Sequence, residues 1–160
     1  MSQIISLESL FQLRSSIHFK DKTIVLATGV FDLLHQEHKN FLTKAKQVGD
    51  ILLLGLETDS RARQLKGKGR PVNLFQKRLK NLAAWDIADY IFALPENFAN
   101  SKTRESFTLK LHPHILAVSQ HTPYFGEKQR IMKLVGGRVL IVHPHNPLIS
   151  TTKLLDKLKK

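Results

Sequence analysis

The chain has 160 residues, enough for one domain that buries about two thirds of the surface its unfolded form exposes. It contains no cysteine, which excludes disulfides and thiolate metal sites, and no run near the ~18 apolar residues of a membrane span. Twenty-five Lys and Arg against 13 Asp and Glu leave a formal charge of +12, so the expected partner is anionic: a nucleotide, a phosphorylated metabolite or nucleic acid. Those cations are scattered along the chain, and a solvated basic surface accounts equally well for many of them. The opening MSQIISLESLFQLRSS lacks the basic start and long apolar core of a signal peptide, so a cytoplasmic protein is expected.

In chain order, residues 6–17 (SLESLFQLRSSI) read as an N-terminal helix within a helical extension covering residues 1–22. The apolar run TIVLATGV (23–30) follows, short and rich in Val, Ile and Leu as a strand buried on both faces must be. Residues 36–48 carry Phe41, Leu42, Ala45 and Val48 at helical spacing and stop at Gly49, a residue suited to a left-handed helix end. ILLLGLE (51–57) is a second strand, followed by a short helix. A helix over 74–86 is predicted after Asn73, with Gln76 three residues on as in a capping box and Leu79, Leu82 and Ala83 on one face. YIFAL (90–94), ILAVS (115–119) and RVLIV (138–142) are three further strands. Helices are expected over 125–135, ending at Gly136 and Gly137, and over 151–159 after Ser150. Regular alternation of strand and helix predicts a single α/β domain over residues 1–160: a Rossmann-like three-layer sandwich whose five-stranded, mostly parallel sheet carries helices on both faces.

In such sheets ligands bind beyond the carboxyl ends of the strands, which directs attention to GVFDLLHQEH, residues 29–38. Gly29 ends the first long strand without a side chain, so an anion can approach the backbone, and the following helix points its positive end at the same spot. His35 and His38, three apart at that helix start, share a face. Three readings remain open for them: helix residues without a task, a metal pair, or a phosphate seat. Zinc asks for three or four ligands, and neither cysteine nor an HExxH helix supplies the rest.

The stretch resembles the G-x-F-D-x-x-H-x-G-H signature of the cytidylyltransferase-like nucleotidyltransferases. LKGKGRPVN (65–73), QKRLKNLAA (76–84), ADYIFALPE (88–96) and ISTTKLLDKLK (149–159) follow in that family's order, so the resemblance covers nearly the whole chain. The N-terminal helix and the K-G-x-G-R-P-V-N run are most similar to heptose-phosphate adenylyltransferases, and ISTTK is shared with glycerol-3-phosphate cytidylyltransferases. The resemblance implies transfer of AMP or CMP from ATP or CTP to a phosphorylated sugar or polyol, with release of pyrophosphate and with Mg²⁺ bridging the triphosphate.

It also implies roles. His35 and His38 donate to the phosphates, with Lys66 and Arg78 as further catalytic cations. Gly29, Val30, Phe31 and Asp32 line the nucleotide site with Ser150, Thr151 and Thr152, whose hydroxyls and helix N-terminus make a second anion seat. Lys68 and Arg70 belong to a glycine-spaced loop that closes over the reaction or holds the acceptor phosphate. Asp32 has a plainer reading as a helix-entry residue capping backbone N–H groups.

Three departures bear on substrate. Glu37 stands where the family has glycine between its histidines, adding bulk and negative charge near the phosphates. SQHTPY (119–124) replaces a Gly-Asp-like segment, so Gln120, His121 and Tyr124 are the candidates to face base or acceptor. HNPL (145–148) replaces R-T-E-G, leaving His145 to act as a phosphate donor when protonated. The tripeptide HPH at 112–114 reads as a turn into a strand, and Trp85, beside Leu82 and Ile87, as a core residue. The competing reading is a non-catalytic nucleotide-sensing or nucleic-acid-binding domain, with nucleic acid the less favoured partner. The choice between ATP and CTP, the acceptor and the oligomeric state stay open, homodimers being common among proteins of this kind.

Overall fold

The computed structural model describes residues 1–144 and 148–159. Its strands are β1 (Gln3–Ile4), β2 (Ile24–Gly29), β3 (Ile51–Leu56), β4 (Tyr90–Ala93), β5 (Ile115–Ser119) and β6 (Arg138–His143). They form one sheet in the order β1-β4-β3-β2-β5-β6, and every neighbouring pair is parallel. The helices are α1 (Leu7–Arg14), α2 (Gln36–Gln47), α3 (Asp59–Lys66), α4 (Phe75–Trp85), α5 (Ser101–Leu111), α6 (Phe125–Lys133) and α7 (Thr151–Leu158). Among the described residues no helix is long and apolar enough to cross a membrane.

The central strands are apolar on both faces because both are covered. Val25, Ala27, Leu52, Leu54 and Ile91 pack against Leu42 and Ala45 of α2 and Leu79 and Leu82 of α4. On the opposite face Ile24, Leu26, Leu53 and Phe92 meet Leu10 of α1 and Phe107 and Leu111 of α5. This is the expected three-layer sandwich, with six strands in place of five. The additional strand, β1, is a two-residue edge whose residues are exposed, too short to leave any period in the sequence. It is held by backbone bonds beside β4 and by Ser2, whose N–H donates to Asp86 and whose hydroxyl donates to the Ala88 carbonyl. The N-terminal segment is therefore part of the sheet as well as a helical extension.

Local chemistry departs from expectation at two helix ends. Gly49 lies outside the left-handed region, and Val48 is the residue that ends α2. The glycine is required by close approach instead, since an added Cβ would lie 2.5 Å from the Val25 side chain and 2.9 Å from the Thr23 carbonyl oxygen. Asn73 and Gln76 form no capping box: α4 starts after Leu74 without a side-chain cap, and the Asn73 amide donates instead to the Asp32 carbonyl at 3.0 Å. Helix α5 was invisible to periodicity because its Phe107, Leu109 and Leu111 recur every second residue, a strand-like spacing. Asn100 caps it by accepting from the Lys102 and Thr103 N–H groups. The HPH turn behaves as expected, with His114 accepting the Ile24 N–H on Nδ1 at 2.9 Å and so leading the chain into β5.

The order of the strands reverses beside β2. The chain steps outward from β2 through β3 to β4, then returns to place β5 on the other flank of β2. The crevice above β2 and β5 is thus the place where this topology leaves room for a ligand. Leu54 is fully buried at the middle of the sheet; Leu54→Ala should destabilise the fold by about 3 kcal/mol, read as a lower urea midpoint at unchanged slope.

Candidate active site

The segment that leaves β2 is fastened from below by two buried arginines. Arg78 of α4 has no solvent exposure, and its guanidinium donates to the Val30 carbonyl at 2.7 Å, the Asn73 carbonyl at 3.0 Å and Asp59 Oδ1 at 2.8 Å. Arg70 pairs with Asp32 at 2.9 Å, both side chains being buried. The same carboxylate accepts the backbone N–H of Val72 at 2.7 Å and of Asn73 at 2.8 Å. Asp32 therefore caps N–H groups as its plainer reading held, but those of the 70–73 loop and not those of α2. Arg70 and Arg78, read from sequence as phosphate-facing, spend these bonds on the chain itself.

Phe31 sits at a φ of 49°, a left-handed conformation uncommon for a bulky residue. Its ring folds back over Gly29, where an added Cβ would lie 2.7 Å from a ring carbon. The glycine is thus required by the phenyl ring at least as much as by any ligand. On its other side Phe31 meets the edge of His38, with ring centroids 5.3 Å apart.

His35 is the N-cap residue of α2, and His38 lies one turn on. Their rings stack with centroids 3.8 Å apart and planes 18° from parallel. Each buries an Nδ1 that has no hydrogen-bond partner within the protein. Burial, aided by the charges of His35 and Lys66, pushes the His38 imidazole down to about 3. Burial also lowers His35, against the opposing charge of Glu37. Two stacked imidazoles, their Nδ1 atoms buried, stand at a positive helix end. They suit an incoming anion far better than a cation.

Lys66, at the end of α3, is exposed, and its charge is felt by His38. Lys68 is exposed in the basic loop that follows. Glu37 is engaged beside this seat, its charge still felt by His35: its carboxylate accepts from His143 Nε2 at 2.7 Å and from the Asn40 amide at 3.3 Å. Gln120, His121 and Tyr124 are exposed around the exit of β5, Tyr124 in the left-handed region just before α6. Ser150 caps α7, accepting the Lys153 N–H at 3.1 Å, and Thr152 is exposed in its first turn. His145 and the Thr151 side chain lie outside the described residues.

Sequence reasoning missed Glu57 at the end of β3. It is 8% exposed, its N–H donates to the Gly29 carbonyl at 2.9 Å, and one carboxylate oxygen is buried without a partner. Burial raises its pKa, against the opposing charges of Arg61, Arg78 and Arg104. The only available signal was a carboxylate directly closing an apolar strand run.

Sheet topology and the paired histidines at the switch point place the chain among the α/β nucleotidyltransferases. It belongs to the cytidylyltransferase-like family, whose model matches residues 26–157. Curated relatives include the bifunctional protein HldE of Pelobacter propionicus, 37% identical over 140 residues, and that of Geobacter metallireducens, 35% identical over 158 residues. These alignments take in 87% and 98% of this chain but only 28% and 31% of the relatives, so the chain spans about three tenths of their length. Among solved structures, a lipopolysaccharide core biosynthesis protein from Thermoplasma volcanium aligns over 76% of this chain and 95% of its own, at 26% identity and a TM-score of 0.63. A pantoate-beta-alanine ligase from Francisella tularensis, covering 99% of this chain and 77% of its own, has a TM-score of 0.68 at 13% identity and shares the fold alone.

Two outcomes follow from the site. Because His38 is depressed on folding, the unfolded chain takes up its proton first as pH falls. The imidazole then costs nothing above about pH 6.5 and destabilises increasingly toward pH 3. Between pH 6.5 and 5 this amounts to about 2 kcal/mol, so urea titrations should show the wild type losing that much more than His38→Gln. Separately, Asp32→Asn should cost on the order of 3 kcal/mol, because it leaves the buried Arg70 unpaired, and should speed amide exchange at Val72 and Asn73.

Proposed function

We propose that this chain transfers a nucleotidyl group from ATP or CTP to a phosphorylated sugar or polyol. An acceptor phosphate oxygen attacks the α-phosphorus, the α–β bond breaks and pyrophosphate leaves. The observation that carries the reading is the stacked His35–His38 pair at the start of α2, beyond the end of β2, with His38 kept neutral by burial. Such a reaction needs little covalent chemistry and much preorganised charge. The imidazoles hold phosphate oxygens, and Lys66 and Lys68 supply positive charge above them. Ser150, Thr151 and Thr152 close the nucleotide site from the α7 side. The similarity of the KGKGRPVN loop to heptose-phosphate adenylyltransferases makes ATP the first nucleotide to test, with Gln120, His121, Tyr124 and His145 as the residues that choose base and acceptor.

Arg70 and Arg78 are assigned positioning roles, since their bonds go to Asp32, Asp59 and two backbone carbonyls. Magnesium fits only as a companion of the nucleotide. Among the described residues no group of three or more His, Asp and Glu side chains could hold a metal, and Asp32 is fully engaged. Mg²⁺ keeps most of its water and is readily held through substrate phosphates, so the ion would enter with the triphosphate and neutralise its charge.

The test is pyrophosphate release by the purified chain with Mg²⁺, each of the four nucleoside triphosphates and a panel of phosphorylated sugars and polyols. Turnover is expected with ATP or CTP, and His38→Ala should lower kcat by a hundredfold or more, on the order of the loss of one transition-state donor. No release with any combination would overturn the proposal. Salt-sensitive binding of DNA or RNA without turnover would replace it with the binding-domain reading.

A further inference from the structure

Glu37 occupies a position where the family signature has glycine, and its side chain does something a glycine cannot. It is the second residue of α2, and it reaches sideways to His143, the last residue of β6, with Nε2 to carboxylate oxygen at 2.7 Å. The other ring nitrogen, Nδ1, lies 3.3 Å from the ammonium of Lys44, two turns further along the same helix. An ammonium can only donate, so Nδ1 accepts and the ring proton sits on Nε2, directed at Glu37. The three side chains thus form one oriented chain, Lys44 to His143 to Glu37, in which no member is left unsatisfied. Asn40 holds the second carboxylate oxygen of Glu37 at 3.3 Å.

The strand is built to deliver this histidine. Along β6, Leu140 and Val142 pack into the core on the α2 side, so simple alternation would send residue 143 to the opposite face. The β5–β6 register breaks just there: Val118 pairs with Ile141, but Ser119 pairs with His143. The extra residue is a β-bulge, a device that re-aims a side chain, and it turns His143 back toward α2. His143 is 8% exposed, and its carbonyl accepts the Gln120 N–H at 3.0 Å. One residue therefore joins the first turn of α2, the exit of β5 and the exit of β6.

We propose that Glu37, His143 and Lys44 are positioning residues that lock the first turn of α2, and with it His35 and His38, against the end of β6. The lock rests on the nucleotidyltransferase reading only for its kinetic consequence. It takes the place of whatever close approach a glycine would permit, and it engages both carboxylate oxygens of Glu37 while that charge is still felt by His35. The groups facing it are His35 and Asn40 beside Glu37, and Lys44 across the ring.

Three measurements on the intact chain decide it. Nitrogen NMR of the His143 ring at pH 7 should show the neutral tautomer with its proton on Nε2. Amide exchange over residues 36–40 should be faster in Glu37→Ala and close to wild type in Glu37→Gln, whose amide oxygen still accepts from His143. In the pyrophosphate assay Glu37→Ala should lose on the order of tenfold in kcat with nucleotide KM within about twofold, and Glu37→Gln should recover most of it. A proton on Nδ1, or exchange in Glu37→Ala indistinguishable from wild type, overturns the lock. A wild-type chain without turnover overturns the proposed activity instead, and the spectroscopic and exchange results still decide the lock.

Discussion

The arrangement above the sheet depends on keeping two arginines buried. Taking a guanidinium out of water is costly unless its donors are met, and here the loops that need fixing accept from all three nitrogens of Arg78 and from Nε of Arg70. Arg78 holds the Val30 carbonyl as the chain leaves β2, while Arg70 and Asp32 tie the end of the basic loop to the next residues of that exit. The position of the histidines is thereby set from beneath. A lysine at position 78 could not reproduce this, since a point charge has no fork with which to grip two carbonyls and a carboxylate together.

This knot also explains why the chain's large positive charge is an ambiguous guide to function. Two of the cations most plausibly assigned to phosphate from the order of motifs are structural in their contacts, whereas Lys66, equally exposed to either reading, lies close enough to depress His38. What distinguishes them is burial and partner, neither of which composition records.

The layered fold was legible because apolar strand runs and helix periods both report burial, and each central strand was found within a residue or so of its expected bounds. The elements that escaped were those whose cause is elsewhere. The edge strand β1 has no pattern of its own, and α5 spaces its apolar residues like a strand. At the site, the histidine pair and its place beyond Gly29 were readable, since helix start and strand end are local features. The stacking of the two rings, the pairing of Asp32 with Arg70 and the unpartnered oxygen of Glu57 were not. All three arise from segments distant in sequence, or from burial that only the assembled layers create. Glu37 marks the boundary: its oddity was visible in the sequence, but its partner, 106 residues away, was not.

The register break in β6 has a consequence for what each half of the contact with Glu37 depends on. Because side chains alternate strictly along a strand, a one-residue change of register inverts the facing of everything beyond it, whatever side chain stands at Val142 or His143. Glu37, by contrast, is open to ordinary substitution. The two halves of the contact therefore differ in origin: the facing of His143 is set by backbone register, and the carboxylate opposite it by a single side chain on a helix.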